Sequence, residues 1–139
     1  MSTENKEELK FIVEIKRDLT YKRLADVLVG AFEGGSNYWI ETADAIKPTE
    51  RLFIYDDKEV WPRYEHPFNP GGGVEIIISE EDEPDNKKIL NLEAIKRGVK
   101  ALADPKNART LNDIIDENDD AGTSDCFLQL CLFGDVIYG

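Results

Sequence analysis

The sequence has little of what most enzyme active sites and metal centres are built from. It contains one histidine, His66, together with two cysteines and one methionine in 139 residues. A Ser-His-Asp or Cys-His arrangement would depend on that single histidine, which lies in a proline-rich stretch. No HExxH, CxxC, phosphate-loop or dinucleotide-binding motif occurs. These absences favour a protein that is not an enzyme and that needs no cofactor or metal.

Long apolar runs and a hydrophobic leader are also missing. No run approaches the roughly 18–20 apolar residues that span a bilayer, and the longest is interrupted by Gln129. The N-terminal residues alternate between charged and apolar, which predicts no secretory signal. Cys126 and Cys131, which helical spacing places on different faces, suit a reducing compartment. We therefore expect a cytoplasmic protein that does not bind membranes.

Basic residues are scarce relative to acidic ones. There are 17 Lys and Arg against 29 Asp and Glu, a net charge of −12. Residues 1–69 carry 14 acids and 10 bases (−4), and residues 70–139 carry 15 acids and 7 bases (−8). Such a charge repels phosphates and anionic lipids, so direct nucleic-acid binding is not expected. The charge either serves solubility alone or forms an acidic face for a basic partner, for instance by imitating DNA.

Hydrophobic patterning predicts a single α+β domain over residues 1–139, with residues 1–8 frayed. The length and the 41% apolar content suit one hydrophobic core. Apolar runs predict three strands, at residues 9–16, 52–55 and 74–79. Amphipathic stretches and capping residues predict four helices, which begin near Thr20, Asn91, Thr110 and Thr123 or Asp125. We therefore expect a small, mostly antiparallel sheet packed against about four helices, the last of which is buried.

The exit of the first predicted helix is dense in glycine, polar and aromatic residues. Gly34 and Gly35 are expected to stop the helix and to let another backbone approach closely. The neighbouring side chains suit a pocket for a small polar ligand or an anchor at a protein interface. The candidate binding residues are Glu33, Ser36, Asn37, Tyr38 and Trp39. The alternative interpretation is a helix stop followed by aromatic residues that cover the sheet edge.

A second cluster, residues 116–125, is dense in oxygen ligands. Asp116, Asn118 and Asp120 match the first three ligand positions of an EF-hand loop. Ala121 then stands where glycine is required, and Phe127 where a bidentate glutamate is required, so the calcium-loop spacing fails. The candidate binding residues here are Asn118, Asp119, Asp120 and Asp125. The alternative is an acidic turn whose Asp and Thr residues cap the last helix.

A third candidate is the aromatic, proline- and glycine-rich stretch at residues 60–73, which is expected to be an ordered loop. Its aromatic residues, Trp61 above all, suit an interface anchor, either for a partner or for a homo-oligomer. They suit a cover over a small core equally well. Two weaker alternatives are a loose divalent-ion site in the acidic cluster and acid–base catalysis by Glu33 with one of its carboxylates.

Two blocks of the sequence resemble a family of small bacteriophage and prophage proteins. They are AFEGGSNYW (residues 31–39) and ENDDAGTSDCFLQLCLFGDVIYG (residues 117–139). The family combines an EGGSNYW block with an acidic ENDDA-T-D-FLQ--LFG--VYG ending. The two blocks cover about 30 of the 139 residues, and residues 45–90 carry no match. The resemblance implies a phage origin and a bacterial host cytoplasm, and it implies no particular activity.

We expect the two blocks to meet in the fold and to form one site, because they hold more polar and aromatic residues than packing requires. The favoured function is a non-enzymatic phage accessory protein that inhibits a host defence system by binding. Its partner would be a host protein with a basic surface, or a small polar ligand. The alternatives are sequestration of a nucleotide-like ligand and a carboxylate- or metal-dependent hydrolase.

Overall fold

Helices and a three-stranded sheet are formed by residues 8–55 and 62–139, which the computed structural model describes. The helices are α1 (Tyr21–Gly30), α2 (Pro62–Glu65), α3 (Leu92–Ala101), α4 (Ala108–Ile115) and α5 (Ala121–Phe133). The strands are β1 (Ile40–Ile46), β2 (Gly73–Ile78) and β3 (Lys87–Leu90). A π-helical turn, Ala31–Gly35, continues α1, and 3₁₀ turns lie at His66–Phe68 and Pro105–Asn107. The predicted α+β class is confirmed.

Helix α1 begins and ends at the residues that the sequence predicts. The Arg23 N–H donates to Thr20 Oγ1 at 3.1 Å, which caps the first turn. Leu24, Val27 and Leu28 form its buried face. The π turn then widens the helix by one residue, and Gly34 adopts a positive φ of 156° that ends it.

The sheet is antiparallel in the order β1-β2-β3, so β2 is central. Val74, Ile76 and Ile78 are fully buried and alternate with two half-buried residues, as expected of a strand with one face on the core. In the register, Ile76 lies between Ala43 of β1 and Lys88 of β3. The predicted strand at residues 74–79 is confirmed.

Helix α5 lies at the centre of the molecule and packs against α1, α3, α4 and β3. Nearly all its residues from Thr123 to Leu132 are buried, which confirms the prediction of a central helix. It begins slightly earlier than expected, because Asp120 is its N-cap. Gly134, with φ of 75°, ends it in the left-handed conformation.

Two predicted strands are wrong. Residues 9–16 form no regular element and are exposed, and no strand in the described part of the chain pairs with them. An alternating pattern is not sufficient for a strand, because the backbone also needs a partner. Residues 52–55 are irregular because the Asn69 side chain replaces a neighbouring strand. Its Oδ1 accepts hydrogen bonds from Leu52 N and Phe53 N, both at 2.7 Å.

The sequence did not predict β1, β3 or α2. Strand β1 is largely exposed and β3 has four residues, so neither shows a clear apolar alternation. Residues 62–68, expected to be irregular, form α2 and a 3₁₀ turn in which Pro67 occupies an early position that needs no N–H. Tyr64 and Phe68 are buried in the core, as the alternative interpretation of the aromatic stretch proposed.

Candidate functional site

The exit of α1 and the start of α5 meet through Asp125. Ser36 Oγ donates a hydrogen bond to Asp125 Oδ1 at 2.8 Å, and Trp39 Nε1 donates to the same oxygen at 2.7 Å. The two blocks are therefore neighbours, as predicted. Gly35 makes the approach possible, since a Cβ atom there would overlap the Ala121 carbonyl oxygen.

All the acceptor capacity of the Asp125 carboxylate is used inside the protein. Its second oxygen accepts from the Tyr38 hydroxyl at 2.6 Å and from Gln129 Nε2 at 3.1 Å. Asp125 is 7% exposed, and Ser36 and Trp39 are fully buried. Four neutral donors thus replace water around a buried carboxylate. The Asp125 network therefore stabilises the structure around the exposed Tyr38 ring.

Gln129 attaches the C-terminal tail to the same network. Its Oε1 accepts from the backbone N–H groups of Ile137 and Tyr138, both at 2.8 Å, and its Nε2 donates to the Tyr138 carbonyl at 3.1 Å. The Tyr138 ring stacks on Trp39 with centroids 5.4 Å apart and planes at 13°. One buried network therefore positions the helix exit, α5 and the tail.

Tyr38 is the part of this network that reaches the surface. Its side chain is 52% exposed while its hydroxyl remains bound to Asp125. Desolvation, followed by the hydrogen bond to Asp125, raises the pKa of Tyr38 to about 12. The phenol therefore stays protonated and keeps donating this hydrogen bond at neutral pH.

Three of the other candidate carboxylates interact elsewhere. Glu33 Oε1 accepts from the Tyr64 hydroxyl, and Asp119 forms an ion pair with Arg23. Asp120 Oδ1 accepts from Thr123 N at 2.9 Å, and the hydrogen bonds from Thr123 hold the pKa of Asp120 below its usual value. Asp120 therefore acts as the cap of α5, as the alternative interpretation of the acidic cluster proposed.

The remaining candidates are Asn37, Asn118 and Trp61. Asn37 and Asn118 are exposed, and neither side chain makes a hydrogen bond within residues 8–55 and 62–139. Trp61 lies outside the described residues. In the same described ranges, no group of three or more His, Cys, Asp or Glu side chains is placed to hold a metal ion.

A second acidic segment, which the sequence predicts as a charged surface turn at residues 80–86, is linked to the site, and the sequence does not predict that link. Residues 80–85, EEDEPD, connect β2 to β3 and are all exposed. The Tyr138 hydroxyl donates to Glu81 Oε1 at 3.1 Å, which links this turn to the tail that Gln129 holds. We call residues 80–85 the β-turn acidic segment and residues 116–120 the helical acidic segment. The name Tyr38 surface is used for the exposed residues of the helix exit and of the tail, Asn37, Tyr38, Val136 and Ile137.

No family model matches this chain, and neither a curated protein nor a solved structure does. The helices within residues 8–55 and 62–139 are too short or too polar for any of them to form a membrane span.

Proposed function

We propose that the protein acts without catalysis by binding a basic protein surface through the Tyr38 surface. The observation that carries this proposal is the position of the exposed Tyr38 ring. Its hydroxyl is bound to Asp125 of α5, the helix that Asp120 of the helical acidic segment caps. Gln129 of the same network holds the tail, whose Tyr138 is bonded to Glu81 of the β-turn acidic segment. An aromatic anchor linked to two groups of carboxylates is a suitable contact surface for a cationic partner.

The charge of these two segments is largely uncompensated. The β-turn acidic segment holds five carboxylates and no base, and the helical acidic segment holds four. Within the described residues, none of the five carboxylates in the first segment forms an ion pair, whereas Asp119 in the second pairs with Arg23. Uncompensated charges of one sign increase the rate of encounter with an oppositely charged surface.

The hydrogen-bond network of Asp125 and Gln129 favours binding, because it holds Tyr38 and the tail in place in the unbound protein. The Tyr38 hydroxyl and the tail backbone are fixed by Asp125 and Gln129 before any partner arrives. A preorganised anchor loses less conformational entropy on association than a mobile one. Val136 and Ile137, in the tail that Gln129 holds, add exposed apolar area.

The biological setting is part of the same proposal. A basic surface of this kind commonly binds nucleic acid, so an acidic protein that occupies it would act as a DNA mimic. The resemblance of residues 31–39 and 117–139 to phage and prophage proteins favours a phage accessory protein that inhibits a host defence system in the bacterial cytoplasm.

The alternatives have less support. A pocket for a small polar or nucleotide-like ligand would need free polar groups, but those of Ser36, Trp39 and Asp125 are bonded within the protein. A hydrolase that pairs Glu33 with a carboxylate of the helical acidic segment would need both groups in one place. Glu33 instead contacts Tyr64, and Asp120 caps α5.

The proposal is tested by affinity capture from bacterial lysate. The immobilised protein should retain one or more basic proteins at low salt and release them at about 0.5 M NaCl, because screening weakens the attraction between opposed charges. Duplex DNA added at low salt should displace the same proteins. The variant Glu80→Gln/Glu81→Gln/Asp82→Asn should capture at least about tenfold less.

The matched control is Glu14→Gln/Glu50→Gln/Glu93→Gln, which removes the same number of negative charges from dispersed exposed positions. It should retain most of the captured protein. If both triple variants lose capture equally, total charge is responsible and the Tyr38 surface is not the contact. If duplex DNA displaces nothing, the protein is not a DNA mimic.

A further inference from the structure

The residues before α1 expose an unusual amount of apolar surface. We call residues 9–15, LKFIVEI, the N-terminal apolar segment. Its five large apolar side chains are between 69% and 87% exposed; they are Leu9, Phe11, Ile12, Val13 and Ile15. Contiguous apolar patches of this kind are rare on soluble monomers and mark sites of interaction.

The segment is anchored at one end. Ile15, Arg17 and Leu19 line a groove of about 220 Å³ whose opposite wall comes from the end of α3 and from α4. That wall consists of Val99, Leu102, Ala103, Leu111 and Ile115. Leu9, Phe11 and Val13 line neither this groove nor the one described next, and they remain exposed. The segment is therefore an exposed apolar arm, and the chain packs against the core just after it, at Leu19.

Strand β1 offers a place for such an arm. Among the described residues β2 is its single neighbour in the sheet, so its other edge has no strand partner there and offers backbone donors and acceptors. It is seven residues long, as is the N-terminal apolar segment. A groove of about 510 Å³ opens at its end beside Ile46, and its lining includes four exposed apolar side chains, those of Leu52, Phe53, Ile89 and Leu92.

We propose that the N-terminal apolar segment of one copy of this chain adds as a strand to the free edge of β1 in a second copy, and extends into the groove at its end. If each copy gives its segment to the other, the result is a dimer with twofold symmetry in which the free edge of β1 is covered in both copies. This inference does not depend on the proposed binding of a basic protein. It also explains why a strand-like sequence has no partner strand among the described residues of its own chain.

The local charge of the segment is compatible with a second copy as the occupant. Residues 8–18 carry three acids and three bases, a net charge of zero. Residues 1–7 carry −1, which leaves −11 of the total −12 for residues 19–139. A neutral apolar strand can approach another acidic copy without adding to its repulsion. A basic partner would instead be drawn to the acidic remainder of the surface.

The area also fits a dimer. The four side chains on one face of the segment, at roughly 150 Å² each, give about 1,200 Å² for the two exchanged segments, within the range of about 1,200–2,000 Å² for specific interfaces. The backbone hydrogen bonds of an added strand on each β1 edge would supply the register.

The test compares the self-association of the full chain with that of two variants by sedimentation velocity over a dilution series. Phe11→Asp places a charge on the face shared by Leu9, Val13 and Ile15, and should weaken dimerisation by about tenfold or more. Ile12→Asp adds the same charge to an equally exposed side chain on the opposite face of the strand. It should change the dissociation constant by less than about threefold.

A mixing experiment identifies the receiving surface. Leu52→Asp alters the groove while leaving the N-terminal apolar segment intact, and should weaken dimerisation to a similar extent. An equimolar mixture of Phe11→Asp and Leu52→Asp should regain dimers, because one chain supplies an intact arm and the other an intact edge and groove. The proposal is overturned if the unaltered protein is monomeric at every concentration, if Ile12→Asp weakens dimers as much as Phe11→Asp, or if the mixture stays monomeric.

Discussion

Asp125 is a buried carboxylate without a cationic partner among residues 8–55 and 62–139. Removing a charge from water is costly unless its hydrogen bonds are replaced. Here the donors on Ser36, Tyr38, Trp39 and Gln129 replace them, so the cost of burial is offset by one complete network. The same residue that resembles a binding group in the sequence is therefore the main link between two parts of the chain.

Replacing Asp125 with alanine should destabilise the protein strongly. The substitution leaves the Ser36 hydroxyl and the Trp39 indole N–H buried without an acceptor, and each such group costs about 1–3 kcal/mol. We expect Asp125→Ala to lower the free energy of unfolding by about 3 kcal/mol or more, measured by urea denaturation with tryptophan fluorescence.

The control for this prediction is Asp116→Ala, the same substitution at an exposed position of the helical acidic segment. It should change the free energy of unfolding by less than about 0.5 kcal/mol. Equal midpoints for the two variants would mean that the Asp125 network contributes nothing to stability.

At the residue scale, the sequence indicated which side chains belong to the site, but not whether they point into the protein or toward solvent. Ser36, Trp39 and Asp125 stood out because their blocks are dense in polar and aromatic groups, and they do meet. Whether those groups point inward or outward depends on the π turn at the end of α1, which no spacing rule predicts. Gln129, one of the excess polar residues of the second block, was not a candidate binding residue, although it lies four residues after Asp125 on the same face of α5.

At the scale of elements, close packing of α3 on α5 depends on one position without a side chain. A Cβ atom at Gly98 would overlap Cys131 Sγ and lie 3.0 Å from the Cys131 backbone nitrogen. Gly98→Ala would normally favour a helix, but the overlap should reverse the effect. We expect it to lower the free energy of unfolding by about 1–3 kcal/mol in chemical denaturation.

Two further variants isolate the cause of that effect. Adding Cys131→Ala to Gly98→Ala removes the sulfur, so the double variant should lose less stability than the sum of the single variants. Gly122→Ala, in the exposed first turn of α5, should alter stability by no more than about 1 kcal/mol. Strictly additive effects at Gly98 and Cys131 would show that the two residues do not clash.

Helices were more predictable than strands for a physical reason. Thr20 and Asn91 cap α1 and α3 through local hydrogen bonds, which a sequence pattern contains in full. A strand depends on a distant partner as well as on its own residues. Residues 9–15 have the pattern and no partner within the described fold, whereas β1 has little pattern and pairs with β2.

At the scale of the whole molecule, the net charge of −12 opposes the compact state, because folding brings carboxylates closer together. Salt screens this repulsion. We expect the melting temperature to rise by about 4 °C between roughly 0.05 and 0.5 M NaCl, measured by thermal unfolding followed with circular dichroism.

The variant Glu80→Gln/Glu81→Gln/Asp82→Asn, in the β-turn acidic segment, should show a smaller rise, since five carboxylates lie within its six residues. A melting temperature that falls with salt would contradict this account. The ion pairs on the surface, such as Lys87 with Glu75 and Lys106 with Asp135, would then outweigh the repulsion.

The position of α5 also has a consequence for biosynthesis. The helix around which α1, α3 and β3 pack is translated after all of them. Because residues 121–133 are their common packing partner, the apolar faces of those elements remain exposed to solvent until α5 has been synthesised. Folding of the nascent chain should therefore be completed late and in one step. Until then, chaperones that bind emerging chains should bind this protein.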